Sequence, residues 1–232
     1  MSKNYTKLFK YTFFKVSLIP LSLLIISSLV FILLRIAPGD PVDAILGSGA
    51  DETARELLRS RLGLNESIII QYCNYIKQLI HFDLGKSLSN QEPVINIIKN
   101  SLPASLELGL VSIILAILIG FPVGIWGLKN KNKKSDYISR IFGISTYAIP
   151  PFWGAMMAQL IFSVILRIFP IGGRFPIYQN PIKVTGFIIF DSIFKNDFFA
   201  LQGALYHIAL PSLTLGFLLS GIFSRSFRLN LE

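Results

Sequence analysis

The sequence is poor in the residues that form disulfides and bind metals. It contains one cysteine, Cys73, and two histidines, His81 and His207, among 232 residues. A single cysteine excludes an intrachain disulfide, and we expect Cys73 to be a small packed residue rather than a reactive thiol. The two histidines lie far apart in sequence without a nearby cluster of Cys, Asp or Glu, which argues against a metal centre.

The sequence also lacks the short motifs of common enzymes. It has no G-x-x-x-x-G-K-[ST] loop, no H-E-x-x-H and no G-x-S-x-G. These motifs cradle nucleotide phosphates, hold a catalytic zinc and present a nucleophilic serine, respectively. The sequence therefore predicts no catalytic residue, no bound cofactor and no enzymatic activity.

Charged residues are absent from four long apolar runs, at 16–34, 108–128, 141–166 and 198–224, which hold 19, 21, 26 and 27 residues. About 20 mainly apolar residues are enough for an α-helix to cross the roughly 30 Å hydrocarbon core of a bilayer. Only 15% of the residues are charged, against about 25% in soluble domains. The sequence therefore predicts an all-α, polytopic membrane protein with four transmembrane helices.

The runs divide the chain into three regions. Residues 1–36 hold an N-terminal tail and the first span, and 37–100 form an extracytoplasmic helical region, since they are too many for a simple connection. Residues 101–232 hold the remaining spans, near 103–128, 140–166 and 206–224. Within the second region, helices are predicted at 51–62, capped by Asp51, and at 66–82, capped by Asn65. A third short helix, at 93–100, leads into the second span.

The positive charge is concentrated on one predicted side of the membrane. Residues 1–15, 129–140 and 225–232 hold 11 Lys and Arg and 2 acidic residues, whereas 35–107 and 167–197 hold 11 of each sign. Positive residues in short loops stay cytoplasmic, so both termini are predicted to be cytoplasmic. The basic residues flank apolar spans without aromatic interleaving, so they indicate contact with the lipid bilayer and not with nucleic acid.

Prolines interrupt the apolar runs at several places. Pro103 is predicted to lie in the first turn of the second span, with Glu107 one turn further, near the positive end of the helix dipole. Pro122 lies between Gly120 and Gly124, a small-xxx-small pattern that favours close helix packing. The fourth run, which is interrupted by His207 and Pro211, is predicted to consist of two pieces.

The third run contains two consecutive prolines, Pro150 and Pro151, which remove two backbone donors and predict a break in the helix. Broken helices at membrane depth occur where the backbone lines a cavity. Gln159 is the only strongly polar side chain beyond the break. We predict that Tyr147, Pro150, Pro151 and Gln159 lie near a translocation path. An interhelical hydrogen bond is the alternative role for Gln159.

Eight segments, taken in order, resemble the permease subunits of bacterial ABC importers of the dipeptide, oligopeptide and nickel class, which are binding-protein-dependent inner-membrane components. The segments are 34–41, 61–64, 82–87, 102–108, 120–124, 149–153, 169–173 and 207–216. The family positions in them are Pro38, Gly39, Asp40, Pro41, Pro103, Glu107, Pro122, Gly124 and Pro211.

The resemblance implies a transmembrane permease subunit in the bacterial inner membrane that works with a second permease subunit, two ATPase subunits that bind the ATP, and an extracytoplasmic solute-binding protein. Family members resemble one another in having six spans and a cytoplasmic loop that docks on the ATPase. Against that pattern the chain is expected to be truncated at its C-terminal end. A truncated fragment that does not transport is therefore an alternative, and a small secondary transporter or channel is a third. The resemblance leaves the solute open among peptides, nickel and related compounds.

Overall fold

The computed structural model of the protein describes residues 2–36, 39, 41–47, 49–87, 89–179, 181 and 184–231; the side chains of 2–9, 44 and 231 are not described. Within these ranges all regular elements are helical, as predicted. The α-helices are α1 (Ser2–Ile36), α2 (Pro41–Leu46), α3 (Glu52–Arg61), α4 (Ile68–Ile80), α5 (Val94–Lys129), α6 (Lys134–Ala148), α7 (Pro151–Ala158), α8 (Ile188–Phe194) and α9 (Phe198–Leu231). A π-helical segment, Gln159–Ile165, continues α7.

Among the described residues, three helices are long and apolar enough to cross a membrane: Lys10–Ile36 within α1, the whole of α5, and Phe198–Asn230 within α9. Helix α6 and the α7–π segment together pass the same test as a bent pair, which gives up to four spans. The all-α, multi-pass prediction is therefore confirmed. The chain divides into two compact units, Met1–Ile97 and Ile98–Glu232.

In the first unit, α4 packs against the C-terminal half of α1. The Phe31 ring of α1 is buried, with ring centroids 5.3 Å from Tyr72 and 5.4 Å from Tyr75 of α4. Arg35 of α1 donates two hydrogen bonds, of 2.7 and 3.0 Å, to Oε1 of Gln71. Aromatic packing and a shared acceptor therefore fix α4 to α1.

The helix caps of this unit match the predictions in part. Ser67, rather than the predicted Asn65, is the N-cap of α4, and its Oγ accepts a hydrogen bond from the Ile70 N–H. Asp51 precedes α3 as predicted, but its carboxylate accepts a hydrogen bond from the Thr53 hydroxyl and makes no capping bond. Both helices thus form where the apolar spacing indicates, with one cap shifted by two residues.

The predicted short helix at 93–100 is continuous with the second span, and this changes the position of two predicted residues. Helix α5 begins at Val94, so Pro103 lies inside the helix rather than in its first turn. Glu107 is correspondingly far from the helix N-terminus, and its predicted placement near the dipole is wrong. Ile98, Leu102 and Leu106 keep helical apolar spacing on both sides of the proline, and a helix among other membrane helices tolerates the lost backbone bond.

The break at Pro150 and Pro151 is confirmed. Helix α6 ends at Ala148, Ile149 is extended, and Pro151 begins α7. The residue before a proline favours extended geometry, and a proline at the first helical position loses no helix hydrogen bond. The two pieces meet at 92°, so the third span is a bent pair or a re-entrant segment rather than a straight helix.

The fourth run is a single helix, and the prediction of two pieces is wrong. Helix α9 extends without a break through His207 and Pro211, and beyond both ends of the predicted span at 206–224. A helix among other membrane helices tolerates the one backbone hydrogen bond that Pro211 cannot make. Close to the proline, the Ser212 Oγ donates to the Ala209 carbonyl at 3.1 Å and the Thr214 Oγ1 donates to the Leu210 carbonyl at 2.8 Å.

Small residues allow α5 and α9 to approach closely. They recur every fourth position, as Ser112, Ala116, Gly120 and Gly124 on α5 and as Ser212, Gly216, Ser220 and Ser224 on α9. A Cβ atom added at Gly120 would lie 2.3 Å from the backbone oxygen of Ser220, and one added at Gly124 would lie 3.0 Å from that of Ser224. The close-packing interpretation of the Gly120 and Gly124 pattern is therefore confirmed.

Candidate functional site

Helices α5 and α9 and the segment that contains Arg174 line a cavity of about 220 Å³, which we call the Glu107 cavity. Its polar lining comes from Ser105, Glu107, Arg174 and His207. Pro211, one of the family positions, also lines it. A mainly apolar cavity with a few convergent polar groups is the usual form of a ligand-binding site.

Glu107 is the most constrained charged residue of this cavity. Its side chain is buried, its Oε2 accepts a hydrogen bond of 2.8 Å from Nη2 of Arg174, and its Oε1 accepts one of 2.7 Å from the Ile189 N–H. The same Arg174 nitrogen donates to the Gly186 carbonyl at 2.9 Å. A buried carboxylate is tolerated when it is paired and hydrogen-bonded. Glu107 therefore fastens the Arg174 segment and the start of α8 to α5.

His207 supplies a second polar group. Its Nδ1 lies 2.8 Å from the Gly203 carbonyl oxygen, one turn earlier in α9. A carbonyl oxygen only accepts hydrogen bonds, so a neutral His207 carries its proton on Nδ1 and keeps Nε2 as an acceptor. The sequence reasoning placed His207 at a helix break, whereas the structure places it on a continuous helix that lines the cavity.

A second cavity, of about 290 Å³, lies beside Gln159 and shares Gly173, His207 and Pro211 with the Glu107 cavity. We call it the Gln159 cavity. The Gln159 amide nitrogen donates a hydrogen bond of 2.5 Å to the Ile171 carbonyl. Ile171 is outside the helices, so this bond anchors a loop and is not the interhelical hydrogen bond that the sequence offered as the alternative. The role of Gln159 in the path stays a prediction.

Two further side chains hold the same backbone segment. The Ser163 hydroxyl, from the π-helical segment, donates to the Pro170 carbonyl at 3.1 Å, and the Tyr206 hydroxyl, from α9, donates to the Ile168 carbonyl at 2.6 Å. Side chains on two elements thus fix residues 168–171, which form part of the wall of the Gln159 cavity.

The remaining predicted path residues lie elsewhere. Tyr147 is 71% exposed at the end of α6, and Pro150 and Pro151 form the adjoining bend. These three residues line neither cavity. Of the four predicted path residues, the structure therefore places only Gln159 at one of these two cavities, where the family position Pro211 also lies.

The family positions fall at structurally distinct places. Pro38 and Asp40 lie outside the described residues. Gly39 has φ of +130°, which suits glycine because it has no Cβ, and Pro41 begins α2. The other positions, Pro103, Glu107, Pro122, Gly124 and Pro211, all lie within α5 or α9.

Sequence reasoning missed Arg174 and Asp191. Burial raises the pKa of the Asp191 carboxyl, but hydrogen bonds from the Thr185 hydroxyl and from the N–H groups of Val184, Thr185 and Gly186 outweigh it and hold the pKa below its usual value. These bonds shape the segment whose Gly186 carbonyl accepts from Arg174. The available signal was Glu107 itself, since a carboxylate next to an apolar run requires a basic partner.

Comparison with known proteins agrees with this architecture. Residues 8–109 match the family described as the N-terminal part of the membrane component of binding-protein-dependent transport systems. The probable D,D-dipeptide transport system permease protein DdpB of Escherichia coli is 35% identical over 199 residues, which are 85% of this chain and 58% of that protein.

Two other relatives are also permease proteins of transport systems. The dipeptide transport system permease protein DppB of Alkalihalophilus pseudofirmus is 36% identical over 202 residues, 85% of this chain and 60% of that protein. The nickel import system permease protein NikB of Staphylococcus aureus is 33% identical over 149 residues, 63% of this chain and 45% of that protein. The chain thus spans about three fifths of the length of the first two relatives, at 58% and 60%. The sequence is therefore similar, over residues 8–109, to the membrane components of binding-protein-dependent transport systems and, over 85% of its length, to two dipeptide permease proteins.

Proposed function

We propose that this chain is a transmembrane permease subunit of an ATP-driven importer of peptides or of a related small solute such as nickel. The observation that carries the proposal is the continuous similarity to peptide permeases over 85% of the chain. The relatives include permease proteins of both peptide and nickel systems, so the proposal names both kinds of solute.

The proposed partners are a second permease subunit, two ATPase subunits and an extracytoplasmic solute-binding protein. The chain would hold no cofactor, and the ATP would be bound by the ATPase subunits. The absence of a phosphate-binding loop from the sequence supports this division. In the alternating-access mechanism, ATP-driven closure of the ATPase subunits would act through contacts that differ between two conformations of the permease.

The proposed path passes the Gln159 cavity and the adjoining Glu107 cavity. Both cavities border Gly173, His207 and Pro211, so a small solute near these residues would meet His207, the Glu107–Arg174 pair and the Gln159 amide. Helix α7, the π-helical segment and α9 carry the surrounding apolar surface. Tyr147 and the Pro150–Pro151 bend would act as neighbours of the path rather than as its lining.

The proposed orientation places both termini and residues 129–140 in the cytoplasm of a bacterial inner membrane. A phosphatase reporter, which is active only outside the cytoplasm, is fused after Lys134 or after Lys86. We expect activity from the Lys86 fusion alone, because the excess of Lys and Arg lies on the side of Lys134. The reverse result would overturn the orientation.

Gene deletion tests the transport role. In the native host, we expect deletion to abolish ATP-dependent uptake of a labelled dipeptide or of ⁶³Ni²⁺, and the chain carried on a plasmid to restore it. The ATPase subunit should co-purify with the chain. Unchanged uptake of both solutes, together with no bound ATPase, would contradict the transport role and favour a non-transporting membrane fragment.

A further inference from the structure

A third cavity, of about 310 Å³, lies between α6 and the C-terminal part of α9. We call it the arginine cavity. Its charged lining consists of Arg140, Arg225 and Arg228. Ser139 and Ser224 add hydroxyl groups, and Ile144 and Leu229 add apolar surface. Among the described residues that line it, none is acidic.

Two of the arginines, Arg140 and Arg228, share one acidic residue. Asp136, which is buried, accepts a hydrogen bond of 3.2 Å from Nε of Arg140 and is ion-paired with the buried Arg228. Its Oδ2 also accepts from the Asn132 N–H at 3.0 Å. One carboxylate offsets one of three guanidinium charges, so the cluster keeps a net positive charge of two. Arg140 and Arg225 are exposed, and each presents several donors.

The cavity also lies where the apolar segments end. Arg140 immediately precedes the charge-free run 141–166, and Arg225 immediately follows the run 198–224. The ends of membrane spans lie in the headgroup region of a bilayer. Ile144 and Leu229, which flank the basic lining, are 66% and 65% exposed. The cavity thus combines an anion-attracting end with an exposed apolar rim.

We propose that the arginine cavity binds the phosphate of an anionic phospholipid, with Arg140 and Arg225 donating to its oxygens and with Ile144 and Leu229 contacting its acyl chain. Guanidinium groups bind phosphate through paired hydrogen bonds, and basic pockets between membrane helices are suited to anionic headgroups. A free phosphate would use the arginines alone, so the apolar rim favours a lipid. The assignment to the cytoplasmic leaflet rests on the proposed orientation, and the binding itself does not.

The test uses the full chain purified in a neutral detergent. Its thermal unfolding is followed while dioleoylphosphatidylglycerol, dioleoylphosphatidylcholine or inorganic phosphate is added. We expect saturable stabilisation by phosphatidylglycerol alone. Arg225→Gln should raise the phosphatidylglycerol concentration needed for half of the effect about tenfold, the value for the loss of one charge-assisted contact. Arg140→Gln should act in the same direction.

Lys133→Gln is the matched control, because it removes one positive charge from the same predicted face outside the cavity. It should leave the half-effect concentration unchanged. If Lys133→Gln and Arg225→Gln raised the half-effect concentration of phosphatidylglycerol equally, the stabilisation would come from general charge attraction, and the proposed site would be wrong. Equal stabilisation by inorganic phosphate would overturn the lipid as the ligand. Because no step measures transport, a negative result here leaves the permease role untouched, and loss of uptake in the deletion experiment leaves the lipid site untouched.

Discussion

Replacement of Glu107 by alanine is expected to destabilise the Ile98–Glu232 unit by about 3 kcal/mol. The substitution leaves Arg174 without its carboxylate partner, which lies 2.8 Å away, and leaves the Ile189 N–H without its acceptor. Removing one member of a buried ion pair costs about 3–5 kcal/mol. The Arg174 side chain keeps 30% of its surface exposed, so the lower end of that range applies. Chemical unfolding in detergent micelles, followed by tryptophan fluorescence, measures the loss.

Two companion variants separate the charge from the size of the side chain. Glu107→Gln retains an acceptor for Arg174 and should lose less stability than Glu107→Ala. The double variant Glu107→Ala/Arg174→Ala removes both charges, so its loss should be smaller than the sum of the two single losses. Strictly additive losses would show that the pair is not coupled, and the role assigned to Glu107 as an anchor of the Arg174 segment would be wrong.

The sequence predicts which segments are helical better than it predicts which prolines interrupt a helix. Charge-free runs identify the spans because burial of a charge in hydrocarbon is costly. Pro150 and Pro151 break the helix because two adjacent backbone N–H donors are missing from one turn. Pro103 and Pro211 are single prolines inside long apolar helices, and there the favourable burial of the whole helix outweighs one missing bond. A rule based on proline alone therefore fails at these two positions.

The polar site is predictable only in part, because its members come from distant places in the chain. Glu107 and Gln159 are conspicuous as polar side chains beside apolar runs. Their partners, Arg174 and the Ile171 carbonyl, belong to a segment with few regular elements, and no local spacing connects them. Glu107 and Arg174 are separated by 67 positions in sequence and meet only through tertiary packing. The sequence can state that Glu107 needs a basic partner, but several basic residues between 167 and 197 satisfy that requirement equally.

Replacement of Gly120 by alanine is expected to disrupt the contact between α5 and α9, at a cost of about 3 kcal/mol. The added methyl group would lie 2.3 Å from the backbone oxygen of Ser220 and 3.1 Å from Cβ of Phe223. A backbone oxygen in the middle of a helix cannot rotate away, so the two helices have to separate. Separation would also displace the neighbouring pair Gly124 and Ser224, which is similarly close. Chemical unfolding of the purified chain in detergent measures the cost.

Gly109→Ala is the matched control, since it makes the same chemical change in the same helix. Nothing lies within 4 Å of the position that its Cβ would occupy. Alanine has a higher helix propensity than glycine by up to about 1 kcal/mol, so this variant should be neutral or slightly more stable. If Gly120→Ala lowered the free energy of unfolding and Gly109→Ala raised it, the loss at Gly120 would come from the contact between α5 and α9. A loss at Gly109 as large as that at Gly120 would instead show that glycine is required for the backbone of α5, and the packing explanation of the every-fourth-residue pattern would fail.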